Sequence, residues 1–539
     1  SRFHPTELST SNRSALCIAR VAGVPGLVSA DDSQKIAPTA MKSRTLTRNI
    51  IILTCAIDAA DKALLPATFK ALDEQMHLGP SKLAALSFAQ SASFSMALPL
   101  WGSLLRYYSA RDLMVAGCFA WSGLTFMLAT AAHYEFQLVL RMLVGAALAS
   151  VSPLGQAMLC DIVPERERGR AFGLLQSVSS ALSITVLFAT TSIASMTFLG
   201  LMGWRWAYLV IAAISLQMGF AMWHYVEPTA PVPLPPGATW LSEQRRVLRA
   251  VGGKPSFYIM VAQGVAGGIP WNAFAFLTFY YQLSGYTDFE AGQLMLLGGL
   301  GGVIGGLLGG FLGDFCAESR LGSHGRIAVA QCSVALGTLG FLWMMHIPFG
   351  PHSFLNLVLA SFTFHAVSNW TPCAALRPIC GEIFRNSHDR AQVVALWISL
   401  EGVASSVLGA PAVGILSEHF GYRLARGSSM TAFSGAVREE NQAALRKALL
   451  GVSILPWLLC FLAWVPMYWT YSHDRNKAKF EAEGEEIESP TPAHAWPATS
   501  QAASQGRAER RHAEAPADTH YRRVTSCPGV DQRIERADA

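Results

Sequence analysis

The chain has 539 residues, of which 51% are hydrophobic and only 14% are charged, about half of the roughly 25% that soluble proteins carry. Several soluble domains with charged surfaces are therefore excluded, and so is a fully disordered chain. The net charge of +5 is mild. It does not indicate nucleic-acid binding, for which a clustered basic face is expected, but it is typical of membrane proteins with Lys and Arg in their cytoplasmic loops.

The first 47 residues are polar and show no helical periodicity, so we expect a disordered cytoplasmic segment over 1–47. Met41 opens a basic stretch that leads into the first apolar run, and it is a candidate start of the natural chain. No convincing small-residue cleavage site follows that run. We therefore predict a retained helix rather than a signal peptide.

Apolar runs of about 20 residues, each long enough to cross a bilayer, then recur along the chain. We predict that all are helices, because lipid offers backbone groups no hydrogen-bond partners. The fold class predicted is an all-α membrane protein with twelve transmembrane helices. The predicted spans 1 to 12 are 49–69, 83–105, 112–132, 137–159, 169–195, 204–225, 257–281, 290–313, 326–347, 353–374, 391–416 and 447–470.

The connections that follow even-numbered spans are rich in Lys and Arg, and those that follow odd-numbered spans are poor in them. Arg166, Arg168 and Arg170, for example, follow span 4, whereas residues 196–203 after span 5 contain neither type. The positive-inside rule therefore predicts that both termini are cytoplasmic. The stretch 417–446 before span 12 is an exception, because it is also basic.

Composition also divides the chain into segments. Residues 227–256 are Pro-rich and then charged and amphipathic, which predicts a cytoplasmic linker between an N-terminal six-helix half, 48–226, and a C-terminal six-helix half, 257–471. Residues 472–539 are charged and rich in Pro, Ala and Ser. We expect them to form a disordered cytoplasmic tail.

Two loop patterns occur in corresponding positions of both halves. Cys160–Gln176 after span 4 matches Cys380–Trp397 after span 10, with Asp161 opposite Glu382 and Arg170 opposite Arg390. Trp101–Arg111 after span 2 matches Gly309–Arg326 after span 8. Paired six-helix halves are typical of secondary transporters whose substrate site lies at the bilayer midplane. The repeat therefore predicts two pseudo-symmetric halves.

These loops resemble those of the major facilitator superfamily, whose motif between spans 2 and 3 reads approximately G-x-x-x-D-(R/K)-x-G-(R/K). The second half keeps it as Gly310, Asp314, Gly325 and Arg326, with an insertion. The first half keeps Gly102 and Arg111, but Arg106 stands where the Asp is expected. The resemblance implies a cytoplasmic gate formed by the even-numbered loops, and the departure at Arg106 weakens that gate in the first half.

Further matches to the superfamily are Arg141–Gly145 at the start of span 4 and Gly203–Val210 at the start of span 6. Within the superfamily the chain is most similar to the spinster-like group. Asp61-Lys62 followed by Ala-Leu-Leu-Pro resembles that group's first span, with Lys in place of Arg, and Arg141–Pro164 resembles its fourth. An acidic residue often found in that fourth span is Leu148 here.

Charged residues inside the spans are functional candidates, because burying a charge in a membrane costs roughly 2.5–3.5 kcal/mol. Asp58 and Lys62 are four residues apart on one helix face, and Asp61 lies beside them. These carboxylates are candidates for binding and releasing a proton, with a static ion pair or exposure at the membrane edge as alternatives. Arg141 is a fixed cation that is suited to an anionic substrate or to these carboxylates. The alternative for Arg141 is an interfacial side chain.

In the second half, Glu401 is the clearest buried acid, and it is a second candidate for proton coupling. Pro270 is expected to break span 7 and to expose backbone groups to a cavity. Helix packing remains the alternative for the aromatic side chains among the cavity candidates. Those candidates are Gln263, Trp271, Asn272, His365 and Asn369.

The even-numbered loops are expected to latch the cytoplasmic side through charge pairs that break during transport, and ordinary positive-inside topology is the alternative. In span 8 the small-xxx-small pattern, such as Gly298/Gly302/Gly306/Gly310, is typical of closely packed helices. The predicted gate residues are Gly102, Arg106, Arg111, Asp161, Arg168, Arg170, Gly310, Asp314, Arg326, Glu382 and Arg390.

The sequence contains no HExxH, no GxSxG and no Cys/His cluster, so we predict neither an enzyme nor a cofactor or metal site. The function predicted is secondary active transport by alternating access, with protons as the candidate coupling ion. The spinster-like resemblance implies a lipid-like substrate such as a lysosphingolipid or lysophospholipid, or another small organic solute. The alternatives are an organic-anion or sugar-type symporter and, in another class, a non-transporting receptor. The plasma membrane and an endomembrane are both compatible with the pattern, and no oligomeric state is predicted.

Overall fold

The computed structural model describes residues 30–105, 107–228, 239–322, 324–384, 387–423 and 435–488. The described chain is helical almost throughout. A two-stranded antiparallel hairpin, β1 (Thr197–Phe198) and β2 (Leu201–Met202), pairs Thr197 with Met202. Residues up to 482 form one compact unit, and the second unit, 483–539, is described as far as Glu488, where it is helical.

The helices before the linker are called the N-terminal helix group. Their bounds are α1 (Ala30–Ala67), α2 (Phe69–Met76), α3 (Gly79–Leu104), α4 (Ala110–Thr130), α5 (Tyr134–Leu148), α6 (Val151–Ile162), α7 (Glu165–Ile193) and α8 (Gly203–Tyr225).

The linker contains α9 (Trp240–Gly252), and the helices after it are called the C-terminal helix group. A 3₁₀ turn, Phe274–Phe276, follows α10, and a π-helical turn, Pro372–Leu376, lies between α14 and α15. The bounds are α10 (Pro255–Ala273), α11 (Leu277–Leu283), α12 (Asp288–Glu318), α13 (His324–His346), α14 (Phe354–Ser368), α15 (Arg377–Ile383), α16 (Ser387–Leu408), α17 (Ala410–His419), α18 (Gly435–Ala463) and α19 (Met467–Glu488).

Nine helical stretches in the described parts of the chain are long and apolar enough to cross a membrane, and they coincide with predicted spans 2–6, 8, 9, 11 and 12. The other three predicted spans contain charged, short or interrupted helices. Span 1 lies in α1 and carries three charged side chains, span 7 is interrupted at Phe274–Phe276, and α14 in span 10 has only 15 residues. Each of these three spans also contains residues that the sequence singled out for function.

Helix extends further into the polar segments than expected. Residues 30–47 of the expected disordered start belong to α1, and α19 runs to Glu488 in the expected tail. Both are continuations of helix that already lies in or against the packed bundle. Adding a residue to such a helix needs no new nucleation, which is the costly step of helix formation. The rest of the predicted disordered segments, 1–29 and 489–539, lies outside the described residues.

The two helix groups meet along two lines, α7 with α12 and α3 with α16 and α17. On the first line, a Cβ atom added to Gly292 would lie 3.0 Å from Phe188, and one added to Gly299 would lie 2.4 Å from Ile184. A Cβ added to Gly306, further along α12, would meet no atom within 4 Å. The helices α7 and α12 are therefore tightly packed near residue 292 and separate toward residue 306.

The second line separates in the same way. A Cβ on Gly414 would lie within 3.0 Å of Pro80, and one on Gly402 would lie 2.2 Å from the Ser95 Oγ. Near the other end of α3, a Cβ on Gly102 would meet nothing within 4 Å. The groups are thus in contact at the end that carries α2 and α11, which we call the closed end, and apart at the opposite, open end.

The row of α12 glycines expected from the sequence, Gly298/Gly302/Gly306/Gly310, packs closely in its first half alone. A Cβ added to Gly298 would lie 2.4 Å from the Ser361 Oγ and one added to Gly302 would lie 2.9 Å from the Asn369 amide nitrogen, whereas Gly310 makes only ordinary contact and Gly306 faces open space. The row that touches α14 and the π-helical turn comprises Gly301, Gly305, Gly309 and Gly313, where an added Cβ would lie 2.1–2.7 Å from backbone or Cβ atoms. The spacing identified the motif, but only packing decides which overlapping row faces the neighbouring helix.

We predict that Gly305→Ala destabilises the protein and Gly306→Ala does not. A Cβ on Gly305 would lie 2.1 Å from the Ala366 carbonyl oxygen, and such overpacking costs about 1–3 kcal/mol of the free energy of unfolding. At Gly306 the added Cβ meets nothing within 4 Å, so the greater helix propensity of Ala leaves stability unchanged or slightly raised. Thermal unfolding of both variants in detergent measures the difference, and equal midpoints would contradict the packing described.

Candidate functional site

A buried ion pair lies on α1 in the N-terminal helix group. Lys62 Nζ donates to Asp58 Oδ2 over 2.8 Å, and the Ser152 hydroxyl donates to the same oxygen over 2.9 Å. The Asp58 side chain is 2% exposed, whereas that of Lys62 is 34% exposed, and its ammonium lies 4.2 Å from the centre of the Phe94 ring. Asp58 Oδ2 is therefore held by two donors, whereas Asp58 Oδ1 has no partner among the described residues.

Asp61 lies beside this pair but is held far less firmly. Thr125 donates to Asp61 Oδ1 over a long 3.4 Å, and Asp61 Oδ2 has no partner within the described residues. The residue is 1% exposed. A buried carboxylate with so few donors is costly in its ionised form. This is the arrangement expected of a group that takes up a proton rather than of one that locks two helices.

Arg141 is completely buried on α5. Its guanidinium donates to Gln90 Oε1 over 3.1 Å and to the Tyr208 hydroxyl, whose ring centre lies 5.0 Å away. In the described part of the chain no carboxylate lies within ion-pair distance of it, and its Nε has no partner. It is close enough to Asp61 to act on that carboxylate electrostatically. The side chain is held inside the helix group, which does not fit the alternative of an interfacial Arg141.

In the C-terminal helix group, Glu401 on α16 packs against α10. A Cβ atom added to Gly264 would lie 2.4 Å from Glu401 Oε2, and one added to Gly268 would lie 3.7 Å from Oε1. The carboxylate fits there because two glycines on one face of α10 leave room for it. Substituting Gly264 would displace the acid, so the glycine is as much part of the site as the carboxylate.

Glu401 lines a cavity of about 270 Å³ in the C-terminal helix group. Of the predicted cavity residues, Gln263, Trp271 and Asn369 line it too. Its wall also contains polar and aromatic side chains that the sequence did not single out. These are Ser333, Ser368, Thr371, Trp457 and Cys460.

Two predicted residues stand just behind this wall. Asn272 donates to the Ser405 hydroxyl and to the Gly268 carbonyl, each over 3.1 Å. His365 Nδ1 lies 2.8 Å from the Ser361 carbonyl oxygen, and its ring lies 6.3 Å from that of Trp271. The Asn272 amide is thus held by its own helix and by α16, and His365 Nδ1 is held by a carbonyl of its own helix. They support the wall rather than line the cavity.

Backbone irregularities occur in both helices beside the cavity, but not where expected. Helix α10 continues through Pro270 to Ala273, and the interruption follows as the 3₁₀ turn Phe274–Phe276. The expected break at Pro270 is thus wrong by about one turn, because Pro removes a donor without preventing helical φ/ψ values. In span 10, α14 ends at Ser368 and the π-helical turn begins at Pro372. Such π turns are frequent at functional sites.

The predicted gate loops are closely connected in the C-terminal helix group. Arg326 forms an ion pair with Asp314 over 2.8 Å and lies 3.9 Å from Glu382, so three predicted gate residues meet. Arg475 and the Tyr471 hydroxyl each donate to Glu382 Oε2 over 2.7 Å. Both lie beyond the predicted end of span 12, so neither was among the predicted gate residues. Burial and the adjoining Glu382 raise the pKa of Tyr471, which therefore remains a donor.

The corresponding loops of the N-terminal helix group contain the local contacts of Arg111 among their described side chains. Arg111 pairs with its neighbour Asp112 over 2.8 Å and donates to the Trp223 carbonyl over 2.9 Å. Asp161 and Arg170 are both exposed. Arg106 and the side chains of Arg168 and Arg390 lie outside the described residues. Within the described residues, Arg111 thus has a sequence neighbour as partner, whereas Arg326 reaches Asp314 on another helix.

An ion pair that the sequence did not predict joins the two helix groups at the closed end. Lys70 Nζ lies 2.6 Å from Asp288 Oδ1 and 4.0 Å from Glu74, and Gln282 donates to the same Asp288 oxygen over 3.0 Å. Lys70 and Asp288 are 218 residues apart, and each was expected in a different short loop. No local spacing rule could connect them.

The helices, the buried charges and the polar cavity define the class of protein as a polytopic helical carrier. Residues 51–377 match the family model of the Major Facilitator Superfamily, and the chain belongs to that family. This confirms the superfamily resemblance drawn from the loops. It also confirms the prediction of an integral membrane transporter rather than an enzyme.

Among curated proteins, the chain is 24% identical over 193 residues to the probable L-galactonate transporter of Escherichia coli (strain K12), covering 35% of this chain and 42% of that protein. The chain thus matches less than half of that relative's length. Its fold is similar to that of a bacterial homologue of the human lysosomal transporter Spinster in an inward-facing, unoccupied conformation, with a TM-score of 0.63, 15% identity, and coverage of 80% of this chain and 98% of that one.

A second similar structure is that of a D-xylose-proton symporter, with a TM-score of 0.58, 14% identity, and coverage of 77% of this chain and 97% of that one. At such identities both likenesses concern the fold alone. The structural similarity covers far more of the chain than the sequence alignment to the curated relative does. This is expected because related proteins keep the same helix packing after their sequences have diverged.

We predict that Asp58→Asn and Asp61→Asn have opposite consequences for stability. Asp58 accepts from Lys62 and Ser152, and hydrogen bonds to a charged group are worth about 1.5–3 kcal/mol. Asp58→Asn should therefore lower the unfolding midpoint clearly. Asp61 accepts only one long hydrogen bond, 3.4 Å from the Thr125 hydroxyl, so Asp61→Asn should leave the midpoint unchanged or raise it. Thermal unfolding in detergent measures both, and a larger loss for Asp61→Asn would refute these roles.

Proposed function

We propose that this protein is a secondary active transporter that works by alternating access, with twelve transmembrane helices in two pseudo-symmetric halves and both termini in the cytoplasm. Membership of the Major Facilitator Superfamily supports the class. The single observation that carries the mechanism is the contrast between the two ends of the helix groups, which touch near Gly292 and Gly414 and separate near Gly306 and Gly102.

The orientation of the two ends follows from the loop charges. If the termini are cytoplasmic, α2 and the start of α12 lie on the outer side, so the closed end faces outward and the open end faces the cytoplasm. The protein is then in an inward-facing state. The bacterial Spinster homologue with the similar fold is also described in an inward-facing state, which supports this orientation.

Proton coupling is proposed for Asp61 and Glu401. Asp61 is buried and Glu401 is half-buried, and each lies in a different helix group. Asp61 has an oxygen with no partner in the described residues and lies near Arg141, a cation that stays charged at any physiological pH. Binding or losing a proton at Asp61 therefore changes the net charge around Arg141. Such a change can be linked to the binding of a solute and to the equilibrium between two states.

The substrate proposed first is a lipid-like or small organic solute, as the spinster-like resemblance implies. The cavity beside Glu401 supports an amphiphilic solute, because Trp271 and Trp457 give it apolar surface while Gln263, Ser368 and Asn369 give it polar groups. The polar part of a lipid-like solute would then lie against Gln263, Ser368 and Asn369.

A specific observation favours the second candidate, an organic anion. Arg141 is fully buried without a carboxylate within ion-pair distance among the described residues. A buried charge is stabilised by an opposite charge, and a carboxylate of a solute would supply one. The curated relative named as a probable L-galactonate transporter supports the same class, since galactonate is a sugar acid.

We predict that Asp61→Asn and Glu401→Gln abolish the stimulation of uptake by an inward proton gradient while leaving solute binding detectable. The amide side chain of Asn or Gln cannot bind and release a proton at physiological pH, so a proton gradient can no longer drive uptake through that residue. The measurement is uptake into proteoliposomes with and without a pH gradient, using L-galactonate, D-xylose and a lysophospholipid in parallel.

Glu440→Gln is the matched control, because Glu440 is an exposed acid whose neighbour is Arg423 at 3.7 Å. It should retain full gradient stimulation. Uptake that responds equally to the gradient in Asp61→Asn, Glu401→Gln and the control would show that neither acid couples transport. Absence of flux for every solute, with intact binding, would favour a receptor.

We further predict that Lys70→Ala shifts the protein away from the inward-facing state. Lys70 and Asp288 join the two helix groups at the closed end, so breaking the pair should favour opening there. A spin-label pair on α2 and α12, measured by pulsed electron resonance, should show a longer distance in the variant. Lys82→Ala is the control, since its ammonium lies 5.2 Å from the Tyr134 ring within the N-terminal helix group. An unchanged spin-label distance in Lys70→Ala would contradict the proposal that the Lys70–Asp288 ion pair holds the closed end together.

A further inference from the structure

The linker helix α9 forms a defined element next to α10, which contains the start of predicted span 7. The Thr239 side chain accepts from the Ser242 backbone amide over 3.2 Å, and the Ser242 hydroxyl accepts from the Thr239 amide over 2.9 Å. This reciprocal cap fixes the start of α9. Its last residue, Gly252, is followed after two residues by Pro255, the first residue of α10. Helix α9 is therefore held close to the membrane surface.

One face of α9 packs on the protein. Val247 and Val251 are each 3% exposed and belong to an apolar cluster with Phe257, Ile383 and Phe384. This packing sets the rotation of α9 about its own axis. The residues on the opposite face are consequently directed away from the C-terminal helix group.

The outward face combines exposed leucines with arginines. Leu241 and Leu248 are 53% and 57% exposed, and Arg245 and Arg249 are also exposed. Spacings of three, four, seven and eight residues place all four on one side of a helix. Neither arginine has an ion-pair partner among the described residues. Exposed apolar side chains interleaved with arginines are typical of helices that lie in a membrane interface.

The surroundings of this face are basic as well. Lys477 Nζ would lie 3.4 Å from a Cβ on Gly253 at the end of α9. Two described acids of the adjoining helices are already engaged, because Asp474 accepts from the Ser256 amide over 2.9 Å and Glu382 is paired with Arg475. The face therefore carries positive charge that the described part of the protein does not neutralise.

We propose that the outward face of α9, defined by Leu241, Arg245, Leu248 and Arg249, binds the anionic lipid headgroups of the adjacent membrane leaflet. The leucines reach the boundary between headgroups and acyl chains, and the two guanidinium groups bind lipid phosphates. Arginine is suited to this contact because its planar group donates two parallel hydrogen bonds to a phosphate. This surface lies apart from the cavity and from the buried acids, so the inference does not depend on the substrate or on proton coupling.

The test is hydrogen–deuterium exchange of residues 240–252 in the full-length protein in nanodiscs, comparing phosphatidylcholine with a 70:30 mixture of phosphatidylcholine and phosphatidylglycerol. We expect exchange about tenfold slower in the anionic mixture, since each basic residue near an anionic surface contributes appreciably to binding. The protection should largely disappear at about 1 M salt, where the screening length falls to about 3 Å.

Three variants test whether Arg245 and Arg249 are responsible for the protection of α9. Arg245→Gln with Arg249→Gln should lose the protection, and Arg245→Lys with Arg249→Lys should keep most of it. Arg423→Gln removes an arginine whose side chain is 72% exposed elsewhere on the protein, and it should behave as the wild type. Thermal unfolding in phosphatidylcholine alone should be the same for all of them, which shows that the variants are folded.

Equal exchange of α9 in the two lipid compositions would overturn the proposal, as would full protection in the double glutamine variant. Protection by inorganic phosphate in phosphatidylcholine nanodiscs would also overturn it, because it would identify a site for soluble anions. Loss of protection in the double glutamine variant alone, with solute flux intact in proteoliposomes, would support lipid binding irrespective of what the protein transports.

Discussion

The cost of placing charge inside an apolar helix bundle is the constraint on which the rest of this structure depends. Lys62 neutralises Asp58 at 2.8 Å, and Ser152 adds a second donor to the same oxygen. Asp61 and Arg141 are buried without equivalent partners among the described residues. The same few helices thus contain one ion pair, in which one Asp58 oxygen is held by two donors, and one acid and one cation that have no ion-pair partner among the described residues. Buried ionisable groups of this kind are functional candidates in membrane proteins because of that cost.

Small residues make the remaining architecture possible. Gly264 leaves room for Glu401 beside α10, and Gly402, one residue further along α16, allows contact with Ser95 in the other helix group. The acid of the second helix group is therefore next to the line along which the groups meet. Any movement of α16 against α3 also moves Glu401 relative to its cavity. The same short stretch of α16 therefore carries both the carboxylate of Glu401 and the glycine, Gly402, at which the two helix groups touch.

The apolar runs predicted most of the helices, because length and hydropathy decide whether a segment is stable in lipid. They also marked Asp58, Asp61, Lys62, Arg141 and Glu401, since a charge stands out in an apolar run. Contact partners could not be predicted in the same way. Gln90 and Tyr208 meet Arg141 from other helices, and a polar Gln90 within a span was the only signal for them.

The sequence by itself determined the class of fold, the existence of charged positions in the membrane and the family to which the chain belongs, because these depend on local composition and on motifs within single loops. The tertiary structure decided which charge is paired, which glycine row of α12 packs, and that Lys70 meets Asp288 across 218 residues. These outcomes depend on the rotation and approach of separate helices. Such geometry is set by many weak contacts at once and by no single spacing along the chain.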